Sequence, residues 1–272
     1  MNILHLIELE WLKYRKNTTF RVSMILYFAL LPSIAGVLLS FETLPPPLPS
    51  PQSFFDFPII WDFMGYIGNW LAYFLFGFLG VYIVSVDSSN KTLRQSVING
   101  LSRKQVISAK LLFILTLSLI TTAYYMLCVF VMANFGTNPF EGSPLLGQEL
   151  IIFRFFIMSL SYFVFGFLIG LLIRSIGVAT MLYFLYVFFI EVILRYVVHL
   201  NFFPKSRSMA YYPMNVVEDL TPFPSGSQEV ASNSMQLDFN LFLNPTEALI
   251  SSGVYLLLYI TGIVFIILKR DL

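Results

Sequence analysis

Two stretches carry the polar chemistry of this chain. The first is Glu191, Arg195 and His199, spaced four residues apart inside an apolar run, which places all three on one face of a helix. Charged groups at membrane depth are costly and face a bundle interior or a cavity, so one reading is a site that touches a substrate or a proton. The other reading is an i,i+4 Glu191–Arg195 pair near an interface, with His199 in the headgroup region.

The second stretch is Ser88 to Lys110, SSNKTLRQSVINGLSRKQVISAK, a polar and basic interruption that carries Lys91, Arg94, Arg103, Lys104 and Lys110. Leu93, Val97 and Leu101 recur at four-residue spacing while Lys91, Arg94 and Gln95 take other sides, which predicts a short amphipathic helix. Asn99-Gly100 ends it, because glycine takes the left-handed C′ conformation without steric cost. Ser102-Arg103-Lys104-Gln105 is then a capping box that starts a new helix running into the apolar run from Leu111. Such a piece is either a mechanical handle between two spans or an ordinary basic loop that fixes topology.

The elements that position these residues follow from composition. With 272 residues, 57% hydrophobic and 11% charged, and a mean hydropathy of +0.78, the chain requires several membrane spans of about 20 residues each. The single cysteine, Cys128, lies in an apolar run and excludes both an intrachain disulfide and a multi-cysteine metal site. No P-loop, H-E-x-x-H, C-x-x-C or G-x-S-x-G motif occurs. Glu-x-x-x-Arg followed by His resembles part of an intramembrane metalloprotease motif, but the second acid and further His-bearing helix of that motif are missing.

The first 20 residues read as a helix in the headgroup plane (1–20), with Ile3, Ile7 and Trp11 on one face and Trp11 and Tyr14 as interfacial anchors. Spans are expected at 22–41, with Pro32 as a kink, and at 70–86, 111–133, 155–173, 178–198 and 248–268, with an extracytoplasmic region over 199–246. LPPPLPSP reads as an extended segment, PIIWDFMGYIGNW as an interfacial piece, and SGSQEVASNS as a mobile tip. Gly77 with Gly80, and Gly166 with Gly170, are candidate close helix contacts. The expected fold is an all-α membrane protein of six transmembrane helices forming a single domain.

Orientation follows from lysine and arginine asymmetry. With the N-terminus inside, Lys13, Arg15, Lys16, Arg21, the basic residues of the second stretch, Arg174, Lys269 and Arg270 all lie inside. Most acids, from Glu42 to Glu247, then lie outside, so both termini are cytoplasmic.

The segment from Val86 to Leu112, VDSSNKTLRQSVINGLSRKQVISAKLL, resembles the acid–T-L-R-Q–S-R–K signature between the second and third spans of ABC-2-type transporter permeases. The amphipathic N-terminal helix and the closing ILKRDL extend that resemblance over essentially the whole chain. Asp87 stands where glutamate is common in the family, and SVINGLSR where many members have a proline before Ser-Arg.

The resemblance implies a membrane-spanning subunit, itself not an enzyme, of an ATP-driven exporter in a bacterial cytoplasmic membrane. Asn90 to Asn99 would be its coupling helix, docked on a separate cytosolic P-loop subunit that binds ATP and Mg. Leu93, Val97 and Ile98 would make the apolar contacts, and Lys91 and Arg94 the polar ones. The N-terminal helix would be the connecting helix, a second permease chain would pair around the pathway, and the region after His199 would fold back as short helices. Two other readings stand beside this one: an intramembrane enzyme using Glu191, Arg195 and His199, and a non-transporting membrane anchor for an ATPase.

Overall fold

A computed structural model describes residues 3–44, 48, 50–89, 92–98, 100–137, 147–173, 175–203, 207–224 and 242–269. The described residues are mostly helical and contain no strand. In chain order the helices are α1 (Ile3–Tyr14), α2 (Thr18–Leu38), α3 (Ile59–Ser89), α4 (Thr92–Ile98), α5 (Arg103–Met132) and α6 (Glu149–Leu172). There follow α7 (Ile176–Phe202), the short α8 (Pro213–Glu218) and α9 (Pro245–Lys269). Among the described residues six helices, α2, α3, α5, α6, α7 and α9, are long and apolar enough to cross a membrane. The chain is an all-α, multi-pass membrane protein.

Local chemistry sets the helix boundaries. Asn17 caps α2, its side-chain oxygen accepting the Phe20 N–H at 3.0 Å. The capping box at Ser102 is formed: the Ser102 hydroxyl accepts the Gln105 N–H, and Gln105 Oε1 accepts the Ser102 N–H at 2.9 Å. Gly100 has φ +99°, the left-handed region where only glycine is unstrained, and it turns the chain between α4 and α5. The α2 helix continues through Pro32.

One expectation fails at α3. PIIWDFMGYIGNW is not a separate interfacial piece, because one continuous helix begins at Ile59 and runs through the expected second span. Its aromatic and acidic residues made this segment read as interfacial. In the fold it is core instead: Ile60, Trp61 and Met64 are fully buried.

The bundle is built around α3 and α6, which touch backbone to backbone. A Cβ on Gly166 would fall inside the Gly77 carbonyl, and one on Gly80 would fall inside the Phe163 carbonyl. Absent side chains let the axes approach and bring flanking aromatics into register. Phe76 stacks on Phe163 with centroids 4.6 Å apart, and Tyr183 lies over Gly77 and donates to the Tyr73 carbonyl at 2.8 Å.

The six spans alternate in direction, which gives the bundle two ends. One end, here the near end, holds α1, α4, the start of α5 and the end of α9, joined by an Arg103 Nη1 bond to the Leu268 carbonyl at 2.9 Å. The far end holds the segment after α7, which folds back as a 3-10 turn (Arg207–Tyr211) and α8. Within α7 two stretches, Tyr186–Ile190 and Leu194–His199, are wound as π-helix.

Candidate functional site

At the near end α1 does not lie apart from the bundle. Its inward face is Leu6, Glu10, Lys13 and Tyr14, packed along α5, while Leu4 and Trp11 stay exposed. Tyr14 is therefore not an interfacial anchor: it is 1% exposed, donates to the Ile83 carbonyl at 2.6 Å and stacks on Phe113 at 5.4 Å. Spacing alone read α1 as a helix in the headgroup plane. Partners far along the chain turn it inward.

Those partners are Asp87, near the end of α3, and Lys110, in α5. Asp87 is fully buried and forms ion pairs with both Lys13 and Lys110. Lys110 also donates to Glu10 Oε2 at 2.5 Å and to the Tyr14 hydroxyl at 3.2 Å. Thr92, the first residue of α4, donates to Asp87 Oδ1 at 2.9 Å and to its backbone carbonyl at 3.3 Å. Two acids and two lysines thus form a neutral quartet that ties α1, α3 and α5 together and holds the start of α4. Burial, and then the neighbouring Lys110, pull the Lys13 ammonium below the ordinary lysine range. Burial pushes the Tyr14 phenol up, so it stays protonated and can donate.

Of the expected contact residues, Leu93, Arg94, Val97 and Ile98 lie on α4, and Ile98 is 73% exposed. Lys91 and Asn99 lie outside the described residues, as do Arg174 and SGSQEVASNS.

The far-end trio is only partly a site. Glu191 does not pair with Arg195. Its carboxylate accepts the backbone N–H groups of Met214, at 2.9 and 3.1 Å, and of Asn215, at 2.9 Å, at the first turn of α8. Those amides are the unpaired donors that any helix start presents, so the nearest buried carboxylate caps them. Arg195 lies 5.1 Å over the Tyr196 ring, and its Nε has no hydrogen-bond partner among the described residues. His199 Nε2 is 2.9 Å from the Ser208 hydroxyl, and its ring packs on Phe203 and Tyr212. Glu191 and His199 therefore dock the returning segment against α7.

Other buried polar groups hold the same segment from the opposite side. Asn69 Nδ2 donates to the Glu218 carbonyl at 3.0 Å and to Thr221 Oγ1 at 2.8 Å, while its Oδ1 accepts from Tyr162 at 2.7 Å. Arg154 Nε donates to the Leu220 carbonyl at 2.6 Å. Sequence reasoning gave neither Asn69 nor Arg154 this role. An asparagine and an arginine inside otherwise apolar helices were the available signal.

The family model described as ABC-2 family transporter protein matches residues 6–198. The chain belongs to the ABC-2 transporter family. No curated relative matches it. As an ABC-2 transporter permease it uses its spans as the membrane part of the machine, and the matched region contains α1 from Leu6, the quartet and α4 entire.

The far end of the permease carries a pH-sensitive contact. Asp219 Oδ2 accepts from Asn215 Nδ2 at 3.0 Å and from the Leu243 N–H at 2.9 Å. Burial pushes this carboxyl up to about 7, against the opposing pull of the Leu243 amide, Arg195, Asn215 and Arg207. Between about 4, the free aspartate value, and that figure, the docked segment keeps a proton that a released one gives up. Docking is therefore firmest at low pH and weakens as pH rises through that window. Limited proteolysis of 207–224 is expected to run slower at pH 5 than at pH 8, and Asp219→Asn is expected to flatten the difference. Equal rates in the unaltered chain would refute it.

Proposed function

We propose that this permease is the membrane-spanning subunit of an ATP-driven exporter and that it couples to a separate cytosolic ATP-binding subunit through the 90–99 segment. ATP and Mg2+ belong to that partner, the near end is cytoplasmic, and the membrane is the bacterial cytoplasmic membrane. A second permease chain completes the pathway. The distribution of charge supports the orientation: Lys13, Arg15, Lys16, Arg103 and Lys104 gather at the near end, while Asp56, Asp62, Glu218 and Asp219 gather at the far end.

The observation that carries the reading is α4 itself. It is a seven-residue helix set between two spans. The chain turns at Gly100 and α5 starts on its own capping box, so a push on α4 has a stiff helix to act on. Ile98 stands exposed, as an apolar contact for a partner must. Leu93 and Val97 lie four residues apart on the same helix, which places them on one face.

Replacing Leu93 and Val97 together with aspartate is expected to release the ATPase subunit during affinity purification while the permease itself stays folded and inserted. An ATPase that still co-purifies in stoichiometric amount with the double variant would place the docking elsewhere. An anchor would recruit the same ATPase without changing its rate in a substrate-dependent manner, so the ATPase rate of the purified pair separates the two.

A further inference from the structure

The quartet at Asp87 does more than fill space. Buried ion pairs are weak sources of stability, because desolvation offsets most of their attraction, and an apolar set of similar volume would hold as well. Fixed partner geometry is what they add. One oxygen of Asp87 faces Lys13 and the Thr92 hydroxyl, and the other faces Lys110, whose ammonium also holds Glu10 and Tyr14. Sliding α1 along α5, or tilting α4 away from α3, breaks at least one contact made to a charged group of the quartet, and the Asp87 carboxylate at its centre is buried.

We propose that Asp87 is a positioning residue that makes α1, the end of α3, the start of α4 and α5 move as one body, so that a push on α4 reaches the far end. This inference rests on the coupling role proposed for α4. Neutralising Asp87 loosens the joint and leaves docking of the ATPase intact, because the exposed surface of α4 is untouched. Lys110 keeps Glu10 as a partner in such a variant, and Lys13, with a side chain 30% exposed, can turn to solvent. The fold therefore tolerates the change.

The test uses the full chain with its ATPase subunit in nanodiscs, with Cys128 replaced by serine and spin labels placed in pairs. Leu9 with Gln95, exposed positions on α1 and α4, reads the joint. Phe135 with Tyr211, exposed positions at the far end, reads transmission when ATP and then vanadate are added. In the unaltered chain the first distance is expected to stay narrow in both states and the second to shift with nucleotide. With Asp87→Asn the first distribution is expected to broaden and the second to lose its nucleotide response, while the ATPase still co-purifies. Asp87→Glu should restore both, and Lys13→Gln should reproduce the broadening.

A narrow Leu9–Gln95 distance together with a preserved far-end shift in Asp87→Asn would overturn the proposal. Broadening in Asp87→Asn that Asp87→Glu fails to restore would also overturn it, as mere local misfolding. Purification of the unaltered chain without any ATPase would instead sink the coupling reading. The width of the first distance would still report on the joint by itself.

Discussion

Gly166→Leu is expected to yield no folded permease. At this position α6 meets the α3 backbone, and even one added carbon would overlap the Gly77 carbonyl oxygen, which cannot move without shifting a whole helix. Gly166→Ala is the graded version. Alanine gains about 1 kcal/mol in helix propensity over glycine, whereas forcing atoms into a packed contact costs about 1–3 kcal/mol. A net loss is therefore expected, read as a lower melting temperature by fluorescence-detected size exclusion in detergent. Gly253→Ala is the matched control, because a Cβ there meets no atom within 4 Å. That variant should melt at or slightly above the parent temperature. If Gly166→Leu elutes as a sharp peak with unaltered melting, the close contact of α3 and α6 is wrong.

Lys110→Met is expected to be the most damaging single change of charge. It leaves Asp87 with one ion-pair partner instead of two, in a place where its side chain is 1% exposed, and removes the hydrogen bond to Glu10. Losing one partner of a buried pair costs about 3–5 kcal/mol, mostly the penalty of the charge left behind. Adding Asp87→Asn to Lys110→Met removes that stranded charge, and Glu10 and Lys13, three residues apart on α1, can then face each other. The double variant is expected to regain more than half of the lost stability. A double variant less stable than Lys110→Met by the full cost of a second deletion would show that the two residues act independently.

Apolar run lengths, the Ser102 box and Gly100 were legible because each is a local signal carried by neighbours in the chain. The short helix before Gly100 was legible for the same reason, with its period of four. The interior start of α3 was not, since Ile59 to Asn69 differ from a surface helix only in what covers them. The quartet was half legible. Asp87 and Lys110 stood in one motif, but Glu10 lies 100 residues from Lys110 and nothing in α1 announces which face will be buried.

Glu191 and Arg195 were recognised as buried charges, yet their assignment to each other rested on α-helical spacing. The π-wound stretches on either side of Glu191 alter that spacing. In addition, the partner of Glu191 is a backbone amide, and backbone amides are the same at every residue. No side-chain pattern can point to Met214.

Dissolved salt acts on charges that ions can approach, over a screening length of about 8 Å at physiological ionic strength. The Arg207–Glu247 pair at the far end, with side chains 33% and 32% exposed, is open to that screening. In the quartet the side chains of Asp87 and Lys110 are 1% and 2% exposed, and no counter-ion can come between them. The two ends of the molecule therefore answer differently to ionic strength: the Arg207–Glu247 pair loosens as salt rises, and the Asp87–Lys110 pair keeps its grip.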